Sequence, residues 1–186
     1  MVKITKVYTK AGDDGTTRLG DNTKALKTDL RIEAYADVDE ANSSIGVAIA
    51  MGELSKSSVD ILTKIQNDLF DVGADIATPN SKEPSLRVTP EYIGWLESTI
   101  DTINDSLTPL DSFILPGGSK GSALLHAART VVRRAERSVW TALEKHKIFM
   151  TELPAKYLNR LSDLLFVMAR GENQNEVLWI PGKDRS

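Results

Sequence analysis

Apolar residues recur at spacings of three and four along most of this chain, the pattern of helices that bury one face each. A first helix is expected near residues 31–52. A second covers about 57–77, with Leu62, Ile65, Leu69, Val72 and Ile76 on one stripe. A third opens at Thr89-Pro90-Glu91, where a capping residue precedes a proline suited to the first helical position and an acid suited to the first turn. Its stripe is Ile93, Leu96, Ile100, Ile103 and Leu107. The fourth follows Pro116-Gly117-Gly118-Ser119 and runs to about His146, and the fifth begins near Pro154 with Leu158, Leu161, Leu165 and Met168. Striped helices joined by short or moderate connections pack side by side, so the expected fold is all-α, a five-helix bundle.

The ends of the chain lack this periodicity. Residues 1–30 read as an irregular loop, with a weakly alternating Val2–Thr9 and then the turn-rich run from Lys10 to Gly20. Residues 31–171 form the bundle, and 172–186 read as an irregular tail containing Pro181 and Gly182. The longest interior loop lies between Thr78 and Val88. No internal repeat marks a second unit, so residues 1–186 are expected to make one domain.

Composition narrows the chemistry. The 186 residues carry 23 Lys plus Arg against 26 Asp plus Glu, a net charge of −3, so no global positive field draws nucleic acid. An anion must instead meet a local basic cluster. There is no cysteine, which removes thiolate nucleophiles and thiolate metal sites. The only histidines are His126 and His146, too few for a multi-histidine centre. No apolar run approaches the roughly 20 residues of a membrane span and no apolar leader follows the N-terminus, so the cytoplasm is the expected compartment.

Three polar clusters exceed what a plain bundle needs. In the N-terminal loop, Gly12 and Gly15 let the backbone approach an anion, Lys10, Arg18 and Lys24 add charge, and Thr9, Thr16 and Thr17 add hydroxyls. No Gly-Lys-Ser/Thr follows at Walker spacing, and an ordinary surface turn would look similar. On the fourth helix, about 100° per residue brings His126, Arg129, Arg133, Glu136 and Arg137 to one face, while Arg134 projects elsewhere. Stacked arginines repel unless anions or carboxylates lie among them, and their planar forks match phosphate oxygens. A solvated charged face remains the alternative. The third cluster sets Tyr35, Asp39, Asn42 and Gly46 on the first helix and Asn159, Asp163 and Arg170 on the fifth; such groups either lock helix register or orient an arginine toward a ligand. Asp68, Asp71 and Asp75 lie opposite the apolar stripe of the second helix and read as a solvated face.

In order along the chain, Tyr8-Thr9-Lys10-Ala11-Gly12-Asp13-Asp14-Gly15-Thr16-Thr17, Tyr35-Ala36-Asp37-Val38-Asp39-Glu40-Ala41-Asn42, Phe113-Ile114-Leu115-Pro116-Gly117-Gly118, Ala128-Arg129 with Arg133-Arg134-Ala135-Glu136-Arg137, and Asn159-Arg160-Leu161-Ser162-Asp163-Leu164-Leu165-Phe166 resemble the PduO-type ATP:cob(I)alamin adenosyltransferases. Five such stretches in order span nearly the whole chain. Ala41 departs from the family's usual leucine, and the tail beyond Arg170 matches only loosely.

The resemblance implies transfer of the 5′-deoxyadenosyl group of ATP to cobalt(I) of a cobalamin, giving adenosylcobalamin and triphosphate. It implies a homotrimer with sites between subunits. Thr9, Lys10, Ala11, Gly12, Asp13, Gly15, Thr16, Thr17 and Lys24 would wrap the ATP phosphates, with Arg133, Glu136, Arg137 and Asn159 from the helices. Asp39 and Arg129 would pair at the interface beside the corrin, and Phe113 would cover the lower face of cobalt. Mg²⁺ would be held mainly through ATP phosphates rather than by a protein cage. A reductase and an adenosylcobalamin-dependent client enzyme are the implied protein partners, with neither nucleic acid nor membrane involved. Two rival readings stand beside this one. A small-molecule kinase would release ADP rather than triphosphate and needs a base near its acceptor; a non-enzymatic helical module would ignore ATP.

Overall fold

The computed structural model describes residues 8, 10–78 and 85–185. Among them are five α-helices and a small antiparallel hairpin. Strands β1 (Thr16–Arg18) and β2 (Lys24–Leu26) precede α1 (Leu30–Met51), α2 (Lys56–Ala77), α3 (Pro90–Asn104), α4 (Lys120–Lys145) and α5 (Leu153–Gly171). Local chemistry sets the starts. Asp29, Ser55 and Ser119 each cap a helix by accepting a hydrogen bond from a first-turn N–H. Pro90 and Pro154 stand at first-turn positions of α3 and α5, where a missing N–H costs nothing. The stripe that suggested a longer α3 overruns its end: the helix stops at Asn104, and Leu107 still reaches the core from the following turn.

Helix α4 is central, packing most extensively on α1 and on α5. Ala34, Ala41 and Ala48 on α1 and Ala128, Ala135 and Ala142 on α4 recur every seventh residue and are all buried. Small side chains on the two facing stripes let these helices approach closely, and register follows from the repeat. Leu125, Leu158, Leu161, Leu164 and Leu165 fill the space toward α5 with no exposed surface. Each such leucine contributes about 1.5–3 kcal/mol by leaving water.

Three expectations are corrected. Asp68 and Asp75 are buried rather than solvated, 6% and 1% exposed. Asp68 accepts from Lys64 at 2.6 Å and from the Tyr157 hydroxyl at 3.2 Å. Asp75 accepts from Arg87 at 2.7 Å and from the Val88 N–H at 2.9 Å, and Asp71 accepts from the Tyr92 hydroxyl at 2.8 Å. The second face of α2 thus receives α3, α5 and the returning chain at 87–88, and a carboxylate on an amphipathic helix is solvated only if nothing else packs there. The N-terminal loop is not wholly irregular, since β1 and β2 pair with Thr17 opposite Ala25. The tail also pairs: Ile114 and Leu178 form an antiparallel bridge, with Leu115 N–H donating to Val177 C=O at 2.8 Å and Trp179 N–H to Phe113 C=O at 2.7 Å.

Candidate functional site

The hairpin builds the first of two candidate regions. Lys10 and Gly15 both have positive φ, 63° and 77°, so the loop turns sharply at each end of Ala11–Asp14. Gly12 is closely packed: a Cβ there would lie 3.0 Å from Thr16 C=O and 3.1 Å from Lys27 Nζ, so a side chain would have to displace its neighbours by a few tenths of an ångström. Beneath the loop lies a cavity of about 490 Å³ lined by Ala11, Gly12, Thr16, Thr17, Arg18, Lys24 and Lys27. Asp14 accepts from Lys24 Nζ at 2.9 Å and from the Thr16 N–H at 3.1 Å. These bonds, the Thr16 hydroxyl foremost, hold its carboxyl at about 2. Lys10 and Asp13 belong to the same loop, whereas Thr9 lies outside the described residues.

Lys24 is therefore already engaged, and Arg18 donates to Asn22 C=O at 2.7 Å. Lys27 has no carboxylate partner among the described residues, and it lines both this cavity and a neighbouring one of about 750 Å³ formed with Tyr35, Phe70, Gly73 and Ala77. Sequence reading passed over it. The available signal was strand alternation, which places Lys24 and Leu26 on one side of β2 and the next basic residue at its end, closing on Gly12.

Helix α4 and the tail build the second candidate region. Arg129 is half-buried; Arg133 and Arg137 are exposed, and none of the three has a carboxylate partner among the described residues. Burial, and then the nearby Arg133 charge, lower the Arg129 pKa, and its Nε has no hydrogen-bond acceptor among the described residues. Arg134 is occupied elsewhere, bound to Glu40 and near Asp37 on α1, as its different helical direction implied. His126, placed by sequence on the arginine face, is 3% exposed and sits edge-on to Phe166. The face therefore passes from buried at His126 to open at Arg137.

Arg129 lines a cavity of about 620 Å³ together with Leu110, Asp111, Ser112, Phe113, Ile114, Phe166 and Trp179. Phe113 is 78% exposed and meets Trp179 edge-to-face at 6.2 Å, so it is no core residue. The cavity thus combines exposed aromatic rings with a half-buried guanidinium whose Nε has no acceptor among the described residues. Sequence reading missed Phe166 as a lining residue and missed Trp179, whose signal was the apolar run Val177-Leu178-Trp179-Ile180 in a tail expected to be irregular.

The sequence-derived residues therefore fall into two groups. Ala11, Gly12, Thr16, Thr17 and Lys24 share the loop cavity, and Phe113 and Arg129 share the aromatic one. Arg133, Glu136, Arg137 and Asn159 line neither. Glu136 accepts from Trp140 Nε1 at 3.3 Å. Asp39 is exposed on α1 and forms neither a hydrogen bond nor an ion pair with Arg129 within the described residues of one chain. Of the fifth-helix trio, Asp163 pairs with Arg160, and Arg170 is buried against Glu176.

Residues 7–172 match the family model for cobalamin adenosyltransferase. The chain belongs to the cobalamin adenosyltransferase family. The corrinoid adenosyltransferase of Mycobacterium tuberculosis strain H37Rv is 56% identical over 189 residues, covering 100% of this chain and 98% of that one. A variant PduO-type ATP:corrinoid adenosyltransferase of Lactobacillus reuteri, solved with cobalamin and ATP, superposes with a TM-score of 0.87 at 35% identity, covering 94% of this chain and 99% of that one. An arginine-to-lysine variant of the same enzyme, solved with ATP, gives 0.84 at 33% identity over 94% and 100%. The bundle and its hairpin are thus the frame of this adenosyltransferase family.

Proposed function

We propose that this chain transfers the 5′-deoxyadenosyl group of ATP to cobalt(I) of a cobalamin at a site completed by a second copy of itself. The observation that carries the reading is the division just described. Basic and glycine-rich groups suited to a polyphosphate gather under the hairpin, while the unpartnered arginines and the aromatic cavity lie on α4 and its neighbours. The solved Lactobacillus reuteri relative holds both cobalamin and ATP, the two ligands these surfaces suit.

In this reading the loop from Lys10 to Thr17, with Thr9, wraps the triphosphate, aided by Lys27 more than by the engaged Lys24. Arg133, Glu136, Arg137 and Asn159 approach the nucleotide from the adjoining copy. Exposed Asp39 of one copy meets the orphaned Arg129 Nε of the other beside the corrin, and a homotrimer closes three such interfaces. Phe113, Phe166 and Trp179 cover the lower face of the metal.

The reaction needs no activated side-chain nucleophile, because cobalt(I) itself attacks. Its electron pair forms the cobalt–carbon bond to C5′ while the C5′–oxygen pair departs with triphosphate. The protein supplies alignment and charge. Holding cobalt in line with C5′ removes translational freedom from the step. Charge builds on the departing triphosphate, so Lys10, Lys27, Arg133 and Arg137 favour the transition state over the bound substrate. No cluster of three or more histidine and acidic residues among the described ones could cage a metal. A magnesium ion held through ATP phosphates fits that donor set, with the ionised Asp14 beside the cavity, and supplies charge neutralisation when bound. The aromatic wall excludes water and the nucleotide base from the lower axial position, which eases formation of cobalt(I). That step places a one-electron reductase upstream and an adenosylcobalamin-using enzyme downstream. Reduced cobalt also argues for the cytoplasm, and no helix among the described residues is long and apolar enough to cross a membrane.

The test is direct. Chemically reduced cobalamin, ATP and magnesium are mixed with the protein, and the visible spectrum is followed. Adenosylcobalamin with equimolar triphosphate supports the reading; ADP as product, or no nucleotide consumption, overturns it.

A further inference from the structure

Phe113 presents a difficulty. It is largely exposed, so packing does little to hold a ring that must help cover a metal face. Its position depends on the backbone of residues 112–115, which pair with the tail through Leu115–Val177 and Trp179–Phe113 hydrogen bonds and through Ser112 Oγ donating to Trp179 C=O at 3.1 Å. Two short segments joined by one bridge do not fix themselves. Something must anchor both.

Arg170, in the last turn of α5, does so. Its side chain is 5% exposed. Nε donates to Glu176 Oε1 at 2.6 Å and Nη2 to Glu176 Oε2 at 3.3 Å, the fork-to-fork geometry in which Arg binds carboxylate most specifically. The same Nη2 donates to Thr108 C=O at 2.7 Å. One guanidinium therefore holds the segment leading to Phe113 and the segment leading to Trp179, each a few residues before they meet. Its charge also lies at a helix C-terminus, where a cation is favoured.

We infer that Arg170 and Glu176 are positioning residues for adenosylation: their buried pair sets the register between residues 113–115 and 177–179 and so aims Phe113 and Trp179 at the lower axial side of the corrin. The inference rests on the proposed reading of the aromatic cavity. Neither residue touches substrate in this account. Both act through the backbone that carries the aromatic rings, and a displacement of about 1 Å at reacting groups costs up to about 100-fold in rate.

The experiment uses the full-length protein with Glu176→Gln and Arg170→Lys, which keep size while removing the charge or the planar fork. Three measurements are made: turnover kinetics giving kcat and KM for ATP, hydrogen exchange at the Leu115 and Trp179 amides, and the electron paramagnetic resonance of bound cobalt(II), whose lines are split by an axial nitrogen. The expected result is a fall of about tenfold or more in kcat when turnover starts from cobalt(II) with reduced flavin as electron donor. The fall is smaller when cobalt(I) is supplied preformed, KM for ATP is unchanged, the two amides exchange faster, and nitrogen splitting is retained. Glu176 lies beyond the bundle, so Glu176→Gln decides the matter should Arg170→Lys fail to fold. Parental kcat from cobalt(II), parental exchange and a parental cobalt(II) spectrum in Glu176→Gln would overturn the inference and leave the adenosyltransferase reading intact. If the parent protein makes no adenosylcobalamin even from cobalt(I), it is that reading that fails.

Discussion

The Tyr157 hydroxyl, fully buried on α5, donates a hydrogen bond of 3.2 Å to the Asp68 carboxylate on α2. Burial and the adjacent carboxylate raise the Tyr157 pKa well above its ordinary value of 10, so the phenol remains a donor throughout the neutral range. Lys64 completes the group, bonded to Asp68 and lying 4.0 Å over the Trp95 ring. Asp68→Ala removes the acceptor from a phenol that water cannot reach. It is expected to destabilise the fold by about 1–3 kcal/mol, read as a lower urea midpoint at unchanged slope. An unchanged midpoint would mean the network contributes nothing net.

This network marks the limit of what the sequence disclosed. Helical stripes were legible because each helix has an apolar face that must be covered, and leucines at spacings of three and four state that need directly. Asp68 and Asp75 misled because their burial is decided by α3, α5 and the chain at 87–88, none of which the spacing within α2 reports. The tail failed for a related reason: Val177 to Trp179 pair with residues more than sixty positions away, and three residues carry too little period to announce a strand. In the site, residue types were readable and engagement was not. Lys24 and Lys27 look alike in sequence, and only the hairpin shows which one Asp14 has taken.

Lys27 should accordingly matter more than Lys24. A charged hydrogen bond to a phosphate oxygen is worth about 1.5–3 kcal/mol, so Lys27→Gln is expected to weaken ATP by about 10- to 100-fold. Lys24→Gln should cost several-fold less. Isothermal titration with ATP and magnesium compares them, and equal effects would contradict the assignment.

Phe113→Ala should lower the adenosylation rate by about tenfold or more while ATP affinity stays within about twofold, because the lost function is exclusion of an axial ligand. Turnover kinetics and titration on one preparation separate the two quantities. Parental turnover in a folded variant would remove Phe113 from the lower face.

Asp29 predicts a pH dependence. It caps α1 through the Arg31 N–H at 2.9 Å and takes the Arg31 guanidinium at 3.0 and 2.8 Å, with His146 Nε2 at 3.5 Å. The Arg31 side-chain bond foremost, opposed by burial, holds the Asp29 pKa at about 2 rather than 3.8. A carboxyl whose pKa is depressed by folding stabilises the fold fully above 3.8, and that contribution is lost as pH falls from 3.8 through about 2. Asp29→Ala should cost about 1 kcal/mol at neutral pH and flatten this acid limb in urea melts. A parental acid limb in the variant would show that other carboxylates set it.

The central claim is that loop and helix chemistry meet only across two copies of the chain, and subunit complementation tests it most directly. Lys27→Ala disables the hairpin half and Arg137→Ala the α4 half, so each variant alone should be nearly inactive. When the two are unfolded together and refolded as mixed oligomers, interfaces combining the intact hairpin of one with the intact helix of the other should restore adenosylcobalamin formation. If mixed oligomers form, each parent variant is inactive and no activity returns, both halves belong to one chain and the shared site is wrong.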